Sequence, residues 1–158
     1  MNGRSREGGA WSGSSNNGEG NSFFGLEAGR NNSTGDVNNF FGALSGYSNT
    51  SGYANSFFGD YSGYSNNTGE GNSFFGSNAG SANTTGSSNV FVGDLAGKSN
   101  TTQSKNTLIG SSADGAAGIS NATVLGANGH AEIRAAEALA RSDGRVREIL
   151  NDRTTTSS

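Results

Sequence analysis

Histidine occurs once in these 158 residues, at His130, and cysteine does not occur at all. A nucleophilic triad needs a general base beside its hydroxyl or thiol, and His130 stands alone near the end of a repeated region. The carboxylates do not line up either. Asp60 and Asp94 share one place in the repeat, and Asp36 and Glu70 share another. A calcium-binding β-roll needs its aspartates at a fixed place in every short repeat. The many glycines include no G-x-x-x-x-G-K-[ST] phosphate loop. These residues predict no enzyme, no metal site and no cofactor. A net charge of −3, from ten basic and thirteen acidic residues, argues against nucleic acid as a partner. No stretch approaches the roughly 20 apolar residues of a membrane span, so direct membrane insertion is not expected.

Only 30% of the chain is hydrophobic, 27 residues are glycine and none is proline. Such a composition gives a folded chain little apolar surface to offset its conformational entropy. A repeat that puts every apolar residue into one recurring column escapes that limit. Here the apolar residues come in adjacent pairs: Phe23-Phe24, Phe40-Phe41, Phe57-Phe58, Phe74-Phe75, Phe91-Val92, Leu108-Ile109 and Val124-Leu125. The first members recur at one fixed interval from Phe23 to Leu108, and the last step, to Val124, is one shorter. Each pair follows an N-S-like start and precedes a glycine, with further glycines at Gly29, Gly46, Gly63, Gly80 and Gly97 and at Gly35, Gly52, Gly69 and Gly86. Helical repeats are about twice as long and do not tolerate so many glycines. The spacing predicts an all-β solenoid, a parallel β-roll of about seven 17-residue coils, with one strand at each "NSFFG" and a weaker one near each "NTT".

Successive strand residues point to opposite faces. One member of each pair therefore fills the coil, beside the small column Ala28, Ser45, Ser62, Ala79, Ala96 and Ala113. The other faces outward, and seven of them stacked form a stripe about 30 Å long that calls for a partner. Sequence alone does not say which column is inside. A flattened strand that tucks both rings into one chain is the alternative. Asn32, Asn49, Asn66, Asn83 and Asn100 also recur, each opening an N-x-S/T sequon. Stacked amides hydrogen-bonded from coil to coil account for them without glycosylation.

The repeats run over residues 14–130, after a segment 1–13 expected to be flexible. "MNGRSREGGAWSGSS" lacks the apolar core of a secretory signal. After His130 the composition changes: ten of the 23 charged residues fall in "AEIRAAEALARSDGRVREILNDR". Ile133, Ala136, Leu139 and Ala140, then Val146, Ile149 and Leu150, sit at helical spacing on either side of Asp143-Gly144. Residues 131–153 therefore predict a helical neck that packs on copies of itself, or a cap over the last coil. Residues 154–158 read as a disordered tail.

The units "GNSFFGSNAGSANTTGSSNVFVGDLAGKSNTTQSKNTLIG" and "ISNATVLGANGHAEI" resemble the head repeats of trimeric autotransporter adhesins of the YadA-like type. Related repeats occur in bacterial surface proteins and phage tail fibres. The resemblance implies a left-handed parallel β-roll, association of three rolls through apolar residues, and a helical neck. It further implies a cell-surface, extracellular or virion-fibre location within a larger exported assembly. The period differs, being 17 here against about 14 in the shortest adhesin heads, and residues 1–158 themselves include no anchor, long stalk or self-cleaving segment.

Two rival roles fit the pattern: a self-assembling, amyloid-like fibre with coils stacked between molecules, and an ice-binding solenoid using columns such as Thr84-Thr85 above Thr101-Thr102. The candidate ligand-binding residues are the four tyrosines, Tyr47, Tyr53, Tyr61 and Tyr64, crowded into two adjacent repeats. Tyr47 and Tyr64 share a column with Arg30, Ser81 and Lys98, which marks it as exposed. An exposed aromatic pair suits a sugar ring or a protein surface, such as a host glycan or protein; the alternative is that tyrosine merely coats polar turns. If the C-terminal segment sets register, deleting residues 131–158 lowers the assembly rate or the melting temperature. An unchanged oligomer of unchanged stability would leave it a linker.

Overall fold

The computed structural model describes residues 5–115, 118–126 and 132–134. Nine short strands lie in chain order in one sheet: β1 (Arg6–Gly8), β2 (Ser22–Phe24), β3 (Asn39–Phe41), β4 (Ser56–Phe58), β5 (Ser73–Phe75), β6 (Val90–Val92), β7 (Thr107–Ile109), β8 (Ala122–Leu125) and β9 (Glu132–Arg134). β1 to β8 are parallel, and β9 runs antiparallel to β8. Phe23 pairs with Phe40, Phe40 with Phe57 and Phe57 with Phe74, so like positions stack coil on coil. The chain is a β-solenoid, and each 17-residue repeat makes one coil.

Inside each coil a ring meets a glycine. Phe23, Phe40, Phe57, Phe74 and Phe91 are fully buried, with Leu108 and Val124 continuing the column. Their rings stack at 4.7–4.9 Å. Ala28, Ala79, Ala96, Ala113, Ser45 and Ser62 fill the space beside them. The next residue must lack a side chain, because a Cβ on Gly29 would lie 2.7 Å from the Phe23 ring. Where the column narrows from phenylalanine to Leu108, Asp114 stands in the place of that glycine.

Asparagine closes the rest of the coil, in two buried columns. In the first, which opens each repeat, the backbone N–H of Asn38 donates to Asn21 Oδ1 at 2.8 Å, and those of Asn55, Asn72 and Asn89 donate likewise to the asparagine one coil back. In the second, Asn49 Nδ2 donates to Asn32 Oδ1, Asn66 to Asn49, Asn83 to Asn66 and Asn100 to Asn83, at 2.6–2.9 Å. Both columns also donate to one set of carbonyls: Gly69 O accepts from Asn55 Nδ2 and from Asn66 Nδ2. Among the described residues no buried side-chain nitrogen or oxygen lacks a partner. An unmet buried amide would cost about 1–3 kcal/mol, so this wiring is what allows a core half made of polar residues.

The corners demand left-handed backbone. Trp11, Glu27, Leu44, Tyr61, Asn78, Leu95 and Ser112 occupy one corner with φ of 54–60°. Val37, Ala54, Ser88, Lys105 and Asn121 occupy another with φ of 55–62°. At both, the N–H turns toward the preceding coil: Leu44 N donates to Leu26 O at 2.8 Å and Val37 N to Glu19 O at 2.9 Å. An L-residue gives up about 1–2 kcal/mol in this conformation, and the coil-to-coil bond holds it there.

Three expectations are corrected. The solenoid reaches back to Arg6, inside the segment 1–13 expected to be flexible. Gly9 and Gly13 take the corner roles of Gly25 and Gly29, with positive φ, and Ser12 is buried like Ala28. The coil escapes a hydrophobic search because Glu7 stands where Phe23 stands. The "NTT" stretches form no second strand among the described residues. There the stacking bonds converge on single carbonyls, as Thr50 N, Ser51 N and Gly52 N do on Asn67 O, and no ladder extends from them. Glu132–Arg134, within the expected helical segment 131–153, pairs as a strand on β8; the remainder of that segment, His130, residues 1–4 and the tail 154–158 lie outside the described residues.

Replacing Asn66 with Ala removes two donated hydrogen bonds and leaves one of the two Asn83 Nδ2 hydrogens without its acceptor. The expected cost is about 3 kcal/mol in urea denaturation, against less than about 0.5 kcal/mol for the exposed neighbour change Thr68→Ala.

Candidate functional site

Two surfaces stand out, and the coil geometry sets both. The first is the outer face of the sheet. Of the outward residues, Phe24, Phe58, Phe75, Val92, Ile109 and Leu125 are 37–48% exposed, and Phe41 is half-buried. The structure thus settles the in–out assignment: the first residue of each pair fills the coil and the second faces out. The outward rings stack as closely as the inner ones, Phe24 on Phe41 at 5.0 Å, Phe41 on Phe58 at 4.9 Å and Phe58 on Phe75 at 5.1 Å, within 17° of parallel. Each inner ring of the run is covered on both faces, so edges look outward. Seven side chains exposed by about two-fifths make on the order of 500 Å² of contiguous apolar surface, toward the upper end of the roughly 300–600 Å² of a lone chain's largest patch, which is often functional. Beside it runs a row of small residues, polar at Ser22, Asn39, Ser56, Ser73, Thr107 and Thr123 and apolar at Val90.

The second surface is a corner. Tyr47 and Tyr64 stack at 5.2 Å with planes 10° apart, and both are half-buried, where the sequence predicts an exposed column. Tyr61 leans on Tyr64 at 5.6 Å and 41°. The structure brings these three together and leaves Tyr53 out. Tyr53 belongs to the column of Asp36 and Glu70. There a hydrogen bond to the Glu70 carboxylate, aided by its charge, raises the phenol above its ordinary pKa. One coil before Tyr47, Arg30 Nη1 lies 2.9 Å from Glu27 Oε1. That hydrogen bond and the Glu27 charge raise the guanidinium further, so the pair is internally neutral.

Trp11 joins the corner from the first coil, in the same left-handed position as Tyr61. The glycine spacing Gly9–Gly13, matching Gly25–Gly29, is the signal that would have found it. The opening asparagines, Asn21 to Asn106, also recur in the sequence, but there a simple strand start accounts for them equally well.

The sequon asparagines are not attachment points in this fold. Asn32, Asn49, Asn66 and Asn83 are fully buried and Asn100 nearly so, and the Asn66 amide uses both hydrogens inside the coil. Among the described residues no group of three or more His, Cys, Asp or Glu gathers at a metal-binding distance, and no helix is long and apolar enough to cross a membrane.

No family model, curated protein or solved structure matches this chain.

The two phenylalanine columns separate in mutagenesis. Phe57→Ala is expected to cost about 3–5 kcal/mol by opening a cavity in the stack. Phe58→Ala loses only lateral stacking and costs about 1 kcal/mol or less within one chain. Equal losses measured by chemical denaturation would contradict the assignment.

Proposed function

We propose that this chain is a structural and binding module, the repeat head of a bacterial surface adhesin or fibre that attaches through a homo-oligomer, most simply a trimer. The observation that carries the reading is the outward stripe. A line of edge-on phenylalanine, valine, isoleucine and leucine running the length of the sheet suits packing against the same line on another copy. Burying it would remove apolar surface worth roughly 25 cal/mol per Å² before the cost of association. The resemblance of the repeats to trimeric adhesin heads supports three copies. In that setting the location is extracellular, on a cell surface or in a virion fibre.

A fibre grown end to end is less well supported. Glu7 stands at the end of the phenylalanine column and is held by Asn16 Nδ2 at 3.0 Å. Another molecule's coil stacked there would bury a carboxylate against an aromatic core, which is costly. The ice-binding reading loses support from Thr84, whose hydroxyl donates to Thr101 O at 3.0 Å along the stack.

Light scattering on the purified chain tests the proposal. The expected mass is three chains, independent of concentration, falling to one chain in Phe41→Ser/Phe58→Ser with the β-sheet circular dichroism retained. A monomeric parent would refute the lateral assembly, and a mass that climbs with concentration would favour the fibre.

A further inference from the structure

We infer that the corner carrying Trp11, Leu44, Tyr47, Tyr61 and Tyr64 is a binding ridge for a linear, uncharged polysaccharide laid along the solenoid axis. The ridge rests on the proposed attachment role for its setting and on the corner alone for its chemistry.

The backbone is the first reason. Seven residues hold the left-handed corner position, and only Asn78 is of a type that tolerates it well. The fold by itself would be best served by glycine or asparagine there. Instead the corner carries Trp11, Leu44, Tyr61 and Leu95, with Trp11 62% exposed and Tyr61 44% exposed. Large apolar side chains on strained backbone and in water are unfavourable to the isolated chain on both counts. The stack dictates the left-handed backbone itself; what it does not dictate is the choice of exposed aromatic side chains at Trp11 and Tyr61, where glycine or asparagine suits that backbone better.

The ring geometry then narrows the occupant. The phenylalanine stripe offers ring edges, because each inner ring is sandwiched by its neighbours. At the corner the tyrosine stack stops after Tyr64, and the next coil presents only Ser81 and Asn78, too short to cover a ring. Tyr61, tilted by 41° from Tyr64, breaks the stack further. Tyr47 and Tyr64 are half-buried, and the accessible aromatic surface is that of Trp11 and Tyr61 with the remaining side of Tyr64, bordered by hydroxyl and amide groups. Trp11 lies three coils from Tyr61 in the same column, and the Glu27–Arg30 pair between them neutralises itself.

A protein partner needs on the order of 1,000 Å² or more of complementary surface with an apolar centre. The corner is narrower, a single file of aromatic rings separated by polar residues. A pyranose chain has the matching pattern: apolar C–H faces for the rings and hydroxyl edges for Ser81, Asn78 and Arg30. One sugar unit is also about as long as one coil is tall, the ~4.8 Å between neighbouring strands. Several copies held side by side would raise a weak single-site affinity by avidity.

Trp11 is the single tryptophan of the chain, so its fluorescence reports on the ridge. The full chain is titrated with cellohexaose, N-acetylchitohexaose and β-1,4-galactohexaose. A saturable shift of Trp11 emission with at least one of them is expected. Tyr61→Asn with Tyr64→Ser, which gives this coil the residues of Asn78 and Ser81, is expected to weaken binding at least tenfold and leave the circular dichroism unchanged. Trp11→Ala, followed by calorimetry, is expected to weaken it similarly. The Phe41→Ser/Phe58→Ser chain is expected to keep its affinity for the soluble hexasaccharide and lose only avid binding to polysaccharide-coated surfaces. A failure of the oligomer reading is thus separate from a failure of the ridge. The inference is overturned if none of the three sugars produces a saturable change by about 10 mM, at the weak end of measurable binding. Undiminished binding by the tyrosine variant, or binding of a sulfated hexasaccharide alone, would overturn it as well.

Discussion

A buried asparagine amide that reaches from one coil to the next is the interaction on which the rest of this structure depends. Backbone N–H groups bond each 17-residue coil to its neighbours around its outline, as Leu44 N does to Leu26 O and Gly46 N to Ser62 O, but its polar interior must be satisfied by side chains. Asn38, Asn55, Asn72 and Asn89 do this, each Oδ1 or backbone N–H taking part in an unbroken line through the core. The second column, Asn49 to Asn100, runs beside it and shares its carbonyl acceptors. Because each amide serves the coil before and the coil after, no coil is complete without its neighbours. A chain with so little apolar residue can fold because its polar interior is fully bonded.

That same stacking sets the surfaces. Once like residues must lie one above another at strand spacing, an outward phenylalanine becomes a stripe and a left-handed corner becomes a ridge. The two differ in what they expose. In the stripe, stacking runs through four consecutive phenylalanines and hides the ring faces except at the end, where Phe24 faces Gly8. At the corner, it runs through two tyrosines and ends. The stripe therefore suits another apolar surface and the ridge suits a ligand with flat C–H faces.

Much of this was legible in the residues. The pairing of Phe23 with Phe24, repeated coil after coil, specifies a two-faced strand, and the structure places one member in and one out. The glycine after each ring and the sequon asparagines were likewise readable, because their types leave few alternatives. Other features were not. Glu7 hides the first coil, since a pattern search follows the apolar column and that coil has none. The "NTT" segments look strand-like by composition, but their hydrogen bonds go to asparagine amides and shared carbonyls, which propensity cannot anticipate. Left-handed backbone at Trp11, Leu44 and Val37 runs against residue preference. It comes from the N–H that must turn toward the previous coil, a constraint of the stack and not of the local sequence. Tyr53 and Tyr61 look equivalent in the sequence, yet they fall on different corners.

Native-state hydrogen exchange followed by NMR tests the central claim, that the asparagine line holds the coils as one unit. The amide protons of Asn38, Asn55, Asn72 and Asn89, which point at asparagine side chains, are predicted to exchange only through global unfolding, with the same denaturant dependence as the strand amides of Ser56 and Ser73. Exchange of those asparagine amides by local opening, while the strand amides stay protected, would contradict the account.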